Sequence, residues 1–175
     1  MENKAMTTEE HEAKKGFDRN VVRLTEQVKE TYKKAFFDLL EKKVAADPPD
    51  YEWITRLYNE IKVKFITILK EGSSLRKEIE ECMDVELFDQ MIRNEAFDPA
   101  DMYKLICYTF EKCKQLGSPA RDQETDEKKQ EIIDLVNSGK GQFSVVVPLF
   151  IKNINHCVDL IYEDLQALSE KFKKK

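Results

Sequence analysis

FDPADMYKLICYTFEKCKQLGSPARDQE, running from Phe97 to Glu124, is the stretch whose reading decides the fold. It opens on a helix start. Asp98 sits at the cap, Pro99 at the first helical position, where its missing N–H costs nothing, and Asp101 at the third, where its carboxylate can accept an orphan donor. Met102, Leu105, Ile106, Thr109, Cys113 and Leu116 then recur at three- and four-residue steps, the period of one helix face. Gly117, Ser118 and Pro119 break this helix and start another. Ser118 can cap, Pro119 suits a first helical position, and Asp122 falls in the first turn, where the helix dipole stabilises a negative charge by roughly 0.3–1 kcal/mol. Only Arg121 is left unexplained. A cation at the positive end of a helix is electrostatically misplaced, so an acidic group has to hold it. The favoured holder is a buried carboxylate on an earlier helix; an anionic ligand or a partner is the alternative.

Working outward, the same grammar of caps, stripes and breakers covers the rest of the chain. After a polar leader over residues 1–16, Phe17, Val21, Leu24, Val28, Tyr32, Ala35 and Leu39 mark one face of a long helix. Its second half, AFFDLL from Ala35 to Leu40, adds Phe36, Phe37 and Leu40 off that stripe and is expected to be covered on more than one side. DPPD at Asp47 to Asp50 stops it, because each proline disfavours helix in the residue before it. Asp50 caps a helix carrying Ile54, Tyr58, Ile61, Phe65 and Ile68. Glu71-Gly72-Ser73-Ser74 separates it from a short helix with Leu75, Ile79 and Cys82, and Asp84 caps another with Leu87, Phe88, Met91 and Ile92.

Downstream of the breaker, Gln123 to Glu131 is a charged run that reads as a solvated helix face, with Ile132, Ile133, Leu135 and Val136 docking its end. NSGKGQ at Asn137 to Gln142 is a turn. It lacks the preceding strand, the earlier glycine and the hydroxyl residue that a phosphate-binding loop needs. The next helix runs from about Phe143 into KFKKK, with a kink expected at Pro148. At 100° steps, Phe143, Val147, Phe150, Ile154, Val158, Ile161, Leu165 and Leu168 share one broad face and are expected in the core. Val145, Leu149 and Leu160 fall near the opposite side, flanking His156. Either this helix lies centrally and is covered on both sides, or Val145, Leu149, His156 and Leu160 form a surface for a partner.

Composition agrees with an all-α protein: 36% of residues are charged, 41% hydrophobic, and only five are Gly and five Pro. With 175 residues the chain can bury a sizeable core. A net charge of −5, with no basic stripe interleaved with aromatics, argues against nucleic acid as a partner. The N-terminal residues lack the apolar core of a signal peptide and no continuous apolar run of spanning length is seen, so an intracellular, cytoplasmic protein without a membrane span is expected. Cys82, Cys107, Cys113 and Cys157 form no CxxC pair and are expected to be reduced core thiols without a metal.

Little in the chain promises catalysis. Of its two histidines, His11 lies in the leader, and His156 next to Cys157 cannot form a dyad with it, because adjacent helical residues point about 100° apart. Helix capping accounts for Asp50, Asp84, Asp98 and Asp101. No catalytic residue, cofactor or metal is expected.

SPARD, preceded by LRKEIEECMDVELFDQMIRNEAFDPADMYKLI, resembles the domain of the T-complex protein 11 family. MDVELFDQMIRNEAFD (Met83 to Asp98) is similar to that family's stretch before its Ala-Arg-Asp turn, and GQFSVVVPLF (Gly141 to Phe150) to its later helix. The resemblance covers roughly Ile54 to Leu165. It implies an all-helical domain without known catalytic residues, in proteins linked to cyclic-AMP and protein-kinase-A signalling and to sperm function. Here Ser118 stands where the family often has alanine or cysteine, and SGKG interrupts what is there an unbroken helix.

The sequence therefore predicts a compact bundle of about seven helices. A single domain is expected over residues 17–170, between the flexible leader and a basic tail at 171–175. Ser118, Pro119, Arg121, Asp122, Asp98 and Pro99 are its structural motif. The expected function is non-enzymatic docking of a protein partner, as a regulatory adaptor in signalling of the cyclic-AMP and protein-kinase-A kind. A structural subunit of a larger cytoskeletal or particle-like assembly is the alternative.

Overall fold

The computed structural model describes residues 7–173 and contains, in that range, seven α-helices and no strand. They are α1 (Thr8–Val44), α2 (Tyr51–Ile68), α3 (Ser74–Cys82), α4 (Val85–Arg93), α5 (Pro99–Leu116), α6 (Asp122–Leu135) and α7 (Phe143–Lys173). A 3₁₀ turn, Pro119–Arg121, leads into α6, and a π turn, Val136–Lys140, leads out of it. Packing divides the chain into a unit up to Leu40 and a second from Glu41, where the sequence predicts one domain over 17–170.

The first unit is the body of α1. The helix begins at Thr8, so the leader is helical from there to Gly16; residues 1–6 lie outside the described range. Its apolar stripe faces solvent, with Phe17 68%, Val21 45%, Leu24 57% and Val28 68% exposed. Cover in AFFDLL is confined to one side: Leu40 is buried and Phe36 and Phe37 are half-buried, whereas Ala35 and Leu39 are exposed. The Phe36 and Phe37 rings meet edge to face at 5.1 Å.

The second unit is organised around α7, which packs against α2, α5 and α6. Val146, Val147, Phe150, Ile151, Ile154, Cys157, Val158, Leu160 and Ile161 are all buried, so apolar residues cover about half of its circumference over about four turns. By length and composition α7 could cross a bilayer, but 56% of that apolar stretch is buried within the chain, the packing of a core helix. Leu165 and Leu168, expected in the core, are exposed: the periodicity continues beyond the end of the neighbouring helices. The helix runs on through the buried Pro148. The predicted basic tail is helical as far as Lys173, beyond which it lies outside the described residues.

Local chemistry sets the helix starts. Asp50, Ser73 and Asp84 accept from the backbone N–H groups of Trp53, Arg76 and Leu87, and Asp98 and Asp101 form a reciprocal capping box. Against α2, the stacked Tyr58 and Phe88 rings (4.2 Å) and the edge contact of Phe88 with Phe97 (5.4 Å) tie α4 and the entry to α5 into the core. Of the four cysteines only Cys113 and Cys157 are buried; Cys82 is exposed and Cys107 half-buried, which corrects the expectation that all are core thiols.

Candidate functional site

Ser118 accepts from Ala120 N–H, Pro119 opens the 3₁₀ turn, and Asp122 is the first residue of α6. Arg121 donates from Nε and Nη2 to the two oxygens of Asp164 on α7, at 3.2 and 3.0 Å. The holder is thus a carboxylate of the chain itself, but from a later helix rather than an earlier one, and it is half-exposed rather than buried. Arg121 also lies 3.8 Å from Glu124, and Glu124 meets His156 Nε2 at 2.7 Å.

This cluster is the first rung of a polar seam between α6 and α7. Buried Thr125 lies beside Cys157 on this seam. Asn153, 2% exposed, donates to the Lys128 carbonyl and to Glu131 Oε2, both at 2.9 Å. The charged run from Gln123 to Glu131 is therefore docked along its length, not only at Ile132 and beyond. Burial, above all, pushes the Cys157 thiol up to about 11, the opposite of an activated nucleophile.

The expected partner surface is covered unevenly. Leu160 is buried, Leu149 and His156 are half-buried, and only Val145 is exposed.

The structure instead places an apolar pocket of about 190 Å³ where α5 starts, α6 ends and α7 starts. Phe97, Pro99, Met102, Ile106, Ile133, Phe143, Val146 and Val147 form its walls, with Asp98 and Asn137 as polar rim. Exposed Tyr103 and Val136 flank the opening. Asp98 and Pro99 thus serve twice, starting α5 and edging the pocket. Gly139, at φ 75°, turns the chain, and Gly141 packs so tightly that an added Cβ would lie 2.8 Å from Val136 Cα. The sequence reading missed this pocket, although the glycine-rich turn was its visible signal.

A sequence profile of the T-complex protein 11 family matches residues 11–168. The chain belongs to the T-complex protein 11 family. The T-complex protein 11 match takes in both the Arg121 junction and the pocket and extends well beyond Ile54 to Leu165. The chain is 30% identical to the human T-complex protein 11 homolog over 149 residues, 85% of this chain and 29% of that protein. It is 28% identical to mouse T-complex protein 11 over 149 residues, 85% of this chain and 26% of that protein. With the human T-complex protein 11-like X-linked protein 1 it shares 26% identity over 141 residues, 80% and 27% of the two. The chain thus spans less than a third of the length of these T-complex protein 11 relatives. No solved structure matches it.

Proposed function

We propose that this T-complex protein 11 domain is a non-enzymatic protein-interaction module of the cell interior that seats an apolar side chain of a partner helix in the pocket at the start of α5. The pocket carries the reading. Its walls are almost wholly apolar and its mouth is ringed by exposed Tyr103 and Val136, the makings of a helix-in-groove contact. Family resemblance directs the adaptor role toward cyclic-AMP and protein-kinase-A signalling.

Titration calorimetry of the 175-residue chain against purified regulatory and catalytic subunits of protein kinase A tests both parts. Binding is expected, and Tyr103→Glu with Val136→Glu should abolish it while leaving the fold intact, since both residues are exposed. Binding that survives both substitutions would place the contact elsewhere. An absence of heat with either subunit would remove the kinase from the reading. The exposed stripe of α1 favours a second role, a lasting place in an assembly, which would show as a stable oligomer independent of the pocket.

A further inference from the structure

We infer that α1 is a self-association helix: its exposed stripe pairs antiparallel with the same stripe of a second copy. The inference is independent of the pocket. Lys14, Phe17, Val21, Leu24, Val28, Thr31, Ala35 and Asp38 follow one another at alternating three- and four-residue steps, and every one is exposed. That spacing fits the seam of a two-helix coiled coil, and what sets it apart from the equally spaced core stripe of α2 is that no member of it is covered.

The ends of the seam choose the occupant and the direction. A parallel pair would set Lys14 against Lys14, Asp38 against Asp38, and Phe17 against Phe17. An antiparallel pair centred on Glu26 instead sets Lys14 against Asp38 of the second copy, Phe17 against Ala35, Val21 against Thr31, and Leu24 against Val28. Each pairing occurs twice by symmetry. Opposite charges close both ends, and the bulky Phe17 meets the small Ala35 beside them. Asp38 accepts from Lys34 of its own helix at 2.9 Å, and Lys14 of the second copy approaches from the seam side. The flanking positions in the middle of the seam, Asn20, Thr25, Gln27 and Tyr32, carry no charge to repel an identical chain. Arg19, Arg23, Glu26, Glu30 and Lys33 fall on the far side of the helix at 100° steps.

Sedimentation equilibrium of the full chain decides the matter. A dimer is expected, and Leu24→Glu with Val28→Glu should render it monomeric while leaving the fluorescence of Trp53, in the unit from Glu41 on, unchanged, because neither side chain is buried within its own chain. Lys14→Asp should weaken the dimer by about tenfold, and adding Asp38→Lys should restore it, since the swapped charges again face each other. A wild-type chain that stays monomeric at every concentration overturns the proposal, as does a dimer that survives the two glutamates. A swap that fails to restore the Lys14→Asp loss overturns the antiparallel pairing. Tyr103→Glu, in the pocket, should leave the dimer intact, so the two readings fail separately.

Discussion

Arg121 shows how much of a residue's environment can be argued from position alone. A cation at the start of a helix requires an acid, and the acid is there. Its identity, Asp164, was out of reach because it lies 43 residues away on a helix whose placement no local pattern specifies. The Arg121 guanidinium, hydrogen-bonded to it, holds the Asp164 carboxyl below the usual carboxylate range. Asp164 therefore binds fewer protons in the folded than in the unfolded chain. Its contribution is complete above the unfolded pKa, near 4, and is lost as pH falls through the lower folded value. In Asp164→Asn, melting temperature measured against pH should lie slightly below wild type at neutrality and converge with it in acid. A second expectation concerns Gly117, where an added Cβ would stand 2.8 Å from the Cys113 carbonyl oxygen and 3.4 Å from Ile161. Gly117→Ala should cost about 1–3 kcal/mol in urea unfolding, because α5 ends hard against α7 there. Cysteine accessibility follows burial as well: iodoacetamide should modify Cys82 in the native protein, and Cys113 and Cys157 only after denaturation.

Helices were legible as elements because caps and periodicity are local. Asp98, Pro99 and Asp101 specify the start of α5 without help from any other helix. What periodicity leaves open is where a neighbour stops. Ile154, Ile161, Leu165 and Leu168 belong to one stripe, yet only the first two are buried. Phe150→Ala should accordingly cost about 3–5 kcal/mol, whereas Leu165→Ser should stay within about 0.5 kcal/mol, both read from chemical denaturation. The docking of α6 was hidden for a different reason. It relies on Thr125, Glu131 and the buried Asn153, polar residues that a hydrophobic pattern passes over. Asn153 donates to a backbone carbonyl and a carboxylate of α6 at once, so sliding α6 by a turn along α7 would leave a buried amide unsatisfied.

The all-α class follows from composition, and the central place of α7 from its broad apolar face, which meets α2, α5 and α6. The division of the chain was not visible, because the stripe of α1 has the same period as a core stripe and differs only in lacking cover. Hydrogen exchange should report that difference. In dilute protein, the amides from Phe17 to Tyr32 should exchange well before those in the buried turns of α5 and α7, and concentration should slow them if α1 pairs with a second copy. The central place of α7 also bears on synthesis. A ribosome delivers α2 and α5 first, and their buried faces, Ile54, Ile61 and Phe65 on one and Ile106 and Phe110 on the other, wait for a helix that begins only at Phe143. Until α7 leaves the exit tunnel the nascent chain holds a row of ready-made helices around an empty centre, an apolar surface for chaperones to guard. A message cut short before that point would yield a sticky product rather than a smaller domain.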